Sequence, residues 1–204
     1  MIRTGDVLQN PATGELIRFV TAAADTDGEY VVVEVIVEPN GAVAAAHLHP
    51  YQTEAFEIVE GEVTFKVGRK KVVAKAGQTI VVEPGTAHKF WNSGTADARF
   101  RCVVRPALQF EQLIETMFSL AADGKTNRKG MPNPFRLAVI ANAHLIDVQL
   151  PFPPLWIQKL GLLLGAPVGR LLGYEPTYTS TDARSIELPI ELPVGQPVEL
   201  PAAA

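Results

Sequence analysis

Three side chains able to bind a metal ion fall within eight residues of one another: His47, His49 and Glu54, inside GAVAAAHLHPYQTEAFEIVEG at 41–61. The whole chain has four histidines, so two of them one residue apart are a pattern rather than background. Residues i and i+2 of a β-strand point to the same face, so His47 and His49 can converge on one ion. Glu54 follows across a Pro50-Tyr51-Gln52-Thr53 turn and can close the same site from the next strand. A further histidine, His88, lies in a second stretch punctuated by Gly and Pro, GQTIVVEPGTAHKFWN at 77–92. Tyr51, in the turn between ligands, is a candidate proton donor to a bound substrate; the plainer reading is an exposed turn tyrosine.

Such ligands need a rigid frame, and residues 1–105 read as one built from strands. The segments Leu16–Thr21, Tyr30–Val37, Val43–His49, Ala55–Glu60, Val63–Val67, Lys71–Ala74, Thr79–Val82, His88–Asn92 and Ala98–Val104 are short and rich in Val, Ile and Phe. Turn signals such as Thr26-Asp27-Gly28, Pro39-Asn40-Gly41 and Glu60-Gly61 separate them. Many short strands with no helix between them predict a sandwich or a closed antiparallel barrel. Parity along the strands places Phe56 and Ile58 on the face of Glu54, Phe90 on that of His88, and Phe100 and Cys102 opposite Arg99 and Arg101. With Phe65, these apolar residues are the expected pocket wall.

From Pro106 onward the period changes. Leu108–Ala122, Phe135–Gln149 and Leu155–Gly173 read as helices, the last kinked near Pro167. In that last helix Gly161, Gly165, Gly169 and Gly173 recur every four residues and would let another backbone approach closely, on the barrel or on a partner subunit. The expected division is a barrel over 1–105, a helical extension over 106–175 and an extended Pro-rich tail over 176–204, where Glu-Leu-Pro recurs at 187–189, 191–193 and 199–201. His144, in the second helix, has no sequence partner at the barrel site and reads as a packing histidine.

Bulk composition narrows the function classes. A formal charge of −4 with no basic half disfavours a nucleic-acid surface. The single cysteine, Cys102, excludes an internal disulfide and fits a reducing compartment. The start of the chain lacks the apolar core of a signal peptide, and Lys159, Pro167 and Arg170 interrupt the apolar run from 155 to 172. The expectation is a soluble cytoplasmic protein with no membrane span. No Gly-rich nucleotide loop is present.

The two stretches together resemble the cupin superfamily. Gly41, His47, His49, Glu54 and Gly61 stand at the fixed positions of the first cupin motif, and Gly77, Gly85, His88 and Asn92 at those of the second. One departure is Glu83, where the family often has proline; Pro84 follows it. The resemblance covers the first half of the chain. It implies a mainly β fold, a cupin-type antiparallel barrel (double-stranded β-helix or jelly roll), here followed by a C-terminal α-helical extension. It also implies that His47, His49, Glu54 and His88 bind one divalent transition metal. An N3O set suits Fe(II), Mn(II), Ni(II), Co(II) or Zn(II), and four protein ligands leave positions open for chemistry. A dioxygenase-type oxidation of a small apolar or chelating substrate is the first expectation, with Glu54 also serving as base. The alternatives are a non-catalytic metal-dependent ligand-binding protein and a non-redox isomerase, cyclase or lyase. Family resemblance further implies a homodimer.

Overall fold

A computed structural model describes residues 1–184 and shows two antiparallel sheets followed by three helices. The larger sheet has the order β1 (Val7–Asn10), β2 (Glu15–Thr21), β3 (Val31–Val37), β9 (Ala98–Arg105), β4 (Thr53–Glu60) and β7 (Thr79–Val82). The smaller is β6 (Lys70–Lys75), β5 (Glu62–Val67) and β8 (His88–Trp91). β1 was not foreseen, because VLQN alternates too briefly to stand out. It is fixed instead by four register pairs with β2.

Period-2 alternation decides what faces the lumen between the sheets. One inner row runs Ile17, Val35, Phe100, Ile58 across four strands, and the next runs Phe19, Val33, Cys102, Phe56. Phe65 and Phe90 come from the smaller sheet to meet Phe56 and Phe100, with ring centroids 5.1–6.4 Å apart. These rings tie the sheets together. The outer face of the same strands carries a cross-strand ladder of alternating charge, Arg18, Glu34, Arg101, Glu57. Opposite charges facing across strands are favourable, and here Arg18 and Arg99 both reach Glu34, at 3.1 and 3.4 Å. Gly61 makes the corner where β4 of one sheet becomes β5 of the other. Its φ is +72°, and a Cβ there would sit 3.1 Å from the Asp97 carbonyl, so only glycine fits.

The expected strand Val43–His49 does not form. Residues 42–48 touch β8 only through isolated bridges, Ala42 to Trp91 and His47 to His88. Between the hydrogen bonds Val43 N–Phe90 O and His47 N–His88 O the segment advances four residues while β8 retreats two. The surplus is a bulge through Ala44-Ala45-Ala46, which small side chains allow. His47 and His49 still lie on one extended stretch, pinned from both sides.

The helices are α1 (Phe110–Ala122), α2 (Pro134–Ala143) and α3 (Leu155–Leu171). Asn133 caps α2 by accepting the Arg136 N–H at 3.0 Å, and Pro134 occupies the first turn, where its missing N–H costs nothing. α2 stops six residues short of the expected Gln149. Beyond Ala143, tertiary contacts replace the helical ladder: Leu48 and Gln149 exchange both backbone hydrogen bonds, at 2.9 Å each, and Asp147 Oδ1 accepts the Gln109 N–H at the start of α1. α3 continues through Pro167. Within the described residues its glycine edge packs on α2 rather than on the sheets: a Cβ on Gly169 would stand 2.5 Å from the Phe135 carbonyl, and one on Gly165 3.0 Å from Ala138 Cβ. Gly161 meets nothing among the described residues, and Gly173, at φ +79°, ends the helix. Residues 174–184 return to α1 and β1, through Tyr178 and Ser180 on Asp123 and the backbone bond Gln9 N–Ala183 O. The Glu-Leu-Pro repeats of the expected tail lie outside the described residues.

Candidate metal centre

His47, His49 and His88 sit where the bulged segment meets β8, and Glu54 projects from the second position of β4. One ligand atom from each of the four lies within 4.8 Å of all the others. The imidazole rings crowd together, with centroids 4.4–5.6 Å apart. Each ring is oriented by its Nδ1, which pairs with a backbone carbonyl: His47 with Ala45 at 2.9 Å, His49 with Asp147 at 2.6 Å, His88 with Thr86 at 3.1 Å. A carbonyl can only accept, so each Nδ1 carries the proton and each Nε2 presents a lone pair.

Those lone pairs have nowhere else to go. His49 Nε2, His88 Nε2 and Glu54 Oε2 are buried without a well-formed hydrogen bond, although Glu54 approaches His88 at 2.7 Å and His49 at 3.6 Å. Buried polar atoms left unpaired cost free energy unless something satisfies them. Three convergent Nε2 atoms and a carboxylate, each imidazole held by a carbonyl behind it, are what a divalent transition metal requires. The residues fit the ion.

Electrostatics keep Glu54 charged and His47 neutral, whereas Glu54 draws His88 toward its protonated form. Burial pushes the Glu54 carboxyl up, but the neighbouring His49, His88 and His47 outweigh it and hold the group down at about 2. Burial, with His88 and His49 alongside, lowers His47 to about 4, keeping it neutral as a ligand must be. Burial also lowers His88, yet the adjacent Glu54 carboxylate more than compensates and raises it. Cys102 is pushed well up by burial and by the Glu54 charge, so its thiol stays protonated and is no nucleophile.

The cluster opens on a cavity of about 560 Å³ whose wall comes from both halves of the chain. Phe56, Phe90, Phe100 and Cys102 line it from the sheets. Ile58 and Phe65, expected there too, are fully buried behind that wall and do not reach the cavity. Tyr51 is 65% exposed and is not part of the lining. Leu113, Ile114 and Met117 of α1, Leu137 of α2 and Ile157 of α3 close the other side.

Composition and spacing did not point to the link between the helical half and the ligands. His144 is completely buried and its Nδ1 lies 3.1 Å from Asp147 Oδ2, while the Asp147 carbonyl holds His49. His144 is therefore joined to the site through Asp147, contrary to its reading as an unconnected packing residue. Glu15 and Asn10, also on the cavity wall, were likewise missed. For Glu15 a signal existed: it shares inner parity with Ile17 and Phe19, and a charge at an inward strand position is unusual.

Residues 33–104 match the family described as Cupin domain. This segment is a cupin domain. The chain is 32% identical over 76 residues to a quercetin 2,3-dioxygenase of Bacillus subtilis, a match covering 37% of this chain and 22% of that protein. It is 25% identical over 159 residues to an oxidoreductase of Arthrobotrys oligospora, covering 70% of this chain and 60% of the relative. A match of that extent reaches into the helical half. A crystal structure from Thermotoga maritima, described as a predicted oxalate decarboxylase, aligns with a TM-score of 0.46 at 21% identity, over 52% of this chain and 99% of that one. The chain thus spans less than two thirds of the length of these curated relatives. Among the described residues no helix is long and apolar enough to cross a membrane.

Proposed function

We propose that the protein is a metal-dependent enzyme that carries out a dioxygenase-type oxidation of a small, largely apolar organic molecule with a chelating group. The observation that carries this reading is the convergence of three Nε2 lone pairs and one carboxylate on the wall of an apolar cavity. His47, His49, Glu54 and His88 would hold one divalent transition ion, which when bound supplies Lewis-acid polarisation and, if redox-active, electron transfer with dioxygen. The chain's own part is positional. Three backbone carbonyls fix the imidazole orientations, the phenyl rings and helices exclude water, and Glu54, kept anionic, stands ready to take a proton from a chelating substrate. The likeness to a quercetin dioxygenase over 76 residues supports the same direction. Oxygen consumption, followed with the purified protein and a panel of flavonols, diketones and catechols, tests it. Uptake that depends on one of them supports the assignment; stoichiometric zinc with no uptake overturns it.

A second reading, metal-dependent ligand binding without turnover, draws on one fact: Tyr51 lies outside the cavity, which leaves Glu54 alone of the expected catalytic pair beside the ligands. Ligand recovered unchanged after incubation with metal-loaded protein and air favours this reading. We further take residues 1–105 as the barrel and 106–175 as an extension that roofs its mouth. A homodimer in the cytoplasm completes the proposal, supported by the apolar outer face of α3, where Leu163, Leu164 and Leu171 are 69%, 66% and 87% exposed, and by the reduced, buried Cys102. Light scattering on the purified protein checks the dimer.

A further inference from the structure

The metal cluster is not the cavity's sole polar feature. Outside it, four polar side chains among the described residues reach the wall: Asn10, Glu15, Gln149 and Gln158. The two glutamines are spoken for, since Gln149 Nε2 donates to Leu145 O and Gln158 bonds to Leu150 and Pro153 backbone atoms. Asn10 and Glu15 are different. Asn10 Oδ1 accepts the Ala12 N–H, but its Nδ2 has no acceptor among the described residues. Among the described residues Glu15 has only the Thr13 side chain for a partner, and Asn10 and Glu15 are both more than nine-tenths buried, at 3% and 8% exposure. They face each other across the β1–β2 register.

Register also places this pair far from the metal cluster. Glu54 is level with Val104, and Val104 with Val31, whereas Glu15 is level with Val37. Six residues of β3 separate the two levels, about 20 Å along the strand at ~3.3 Å per residue. Between them the wall is Val33, Val35, Phe100 and Cys102. Over the Glu15 end lies the turn through Gly130, where a Cβ would fall 2.7 Å from Thr13 Cγ2. A buried carboxyl and an unspent amide at the covered end of an apolar cavity are costly unless a ligand uses them.

We infer that Glu15 and Asn10 form a second recognition pole, and that the cavity takes an elongate apolar molecule with a chelating head at the histidine cluster and a hydroxyl or carbonyl at its far end. This rests on the metal-centre reading. Burial raises the Glu15 carboxyl to about 7, so near neutral pH it can donate as well as accept. Asn10 Nδ2 adds a donor beside it. A purely hydrocarbon tail would leave both groups unpaired.

The test uses full-length protein loaded with Co(II), whose visible spectrum reports a chelator at the cluster. Straight-chain alkyl hydroxamates of graded length are titrated in pairs, one ending in a methyl group and its counterpart in a hydroxyl. At one chain length the terminal hydroxyl is expected to tighten binding about three- to tenfold, the range of one net hydrogen bond. The Glu15→Leu variant should lose that gain while binding the methyl-ended chains at least as well. Glu15→Gln should keep part of it, and thermal melts confirm that both variants fold. No gain at any length, or a gain that survives in Glu15→Leu, overturns the inference and leaves the metal centre standing. If no hydroxamate perturbs the cobalt spectrum, the metal-centre reading falls and this inference with it.

Discussion

His49 illustrates how a single ring can be set from a distance. Its Nδ1 bonds to the carbonyl of Asp147, whose side chain is in turn held by Gln109 N and His144. Removing that support should loosen the ligand rather than abolish it. Asp147→Ala is expected to weaken metal affinity about tenfold, the lower end for groups behind a metal ligand, as read by competition with a chromophoric chelator. Glu15 makes a prediction of opposite character. Its pKa rises from 4.5 in the unfolded chain to about 7 when buried, so the folded state binds the extra proton between those values. Stability contributed by this group is therefore present below about 4.5 and is lost as pH climbs to about 7. Glu15→Gln should be indistinguishable from wild type at the acid end of that window. Above it the variant should be more stable, by up to about 3 kcal/mol in urea melts. Legibility differed sharply between these residues. The four clustered residues were readable because three fall within eight positions and the fourth stands in a second stretch of fixed spacing, whereas Asp147 acts through its backbone carbonyl, which no side-chain pattern encodes.

Among the elements, α3 offers the clearest contrast between equivalent sequence positions. Gly161 and Gly169 are eight residues apart on one helix edge, yet a Cβ at Gly169 would strike the Phe135 carbonyl while one at Gly161 would touch none of the described residues. Gly161→Ala should stabilise the protein by about 1 kcal/mol, since alanine favours the helix by that amount. Gly169→Ala should destabilise by about 1–3 kcal/mol, because α2 and α3 must move apart. Differential scanning calorimetry on the two variants separates these outcomes. Period-4 glycines were legible as a close-packing edge, but their partner was not, since nothing in the repeat distinguishes α2 from a sheet or a second subunit. Strand recognition likewise succeeded wherever alternation ran long, as in β3 and β9. It failed at 43–49, where three successive alanines concealed a bulge, and at the end of α2, where the exchange of hydrogen bonds between Leu48 and Gln149 overrides local helix preference.

The molecule as a whole divides less cleanly than its sequence. Helical residues supply one side of the cavity, Gln149 pins the extended segment between His47 and His49, and Asp147 orients His49. A chain truncated after Arg105 would expose the apolar lumen and free His49 Nδ1 from its carbonyl. It should bind a hydrophobic dye strongly and aggregate, and a soluble, monodisperse product that keeps the metal affinity of the full chain would contradict the shared construction described here. The fold class was legible throughout, because binary patterning is periodic and the cupin motifs are fixed in spacing. That the two halves build one site was not, because no sequence period spans them. The central claim remains that His47, His49, Glu54 and His88 bind a divalent transition metal, and elemental analysis of full-length protein purified without added metal addresses it most directly. The prediction is one first-row transition ion per chain, lost when His49 and His88 are both replaced by alanine in a variant that still folds. Metal-free protein that fails to take up such ions on titration, or a double variant that retains the full complement, would contradict it.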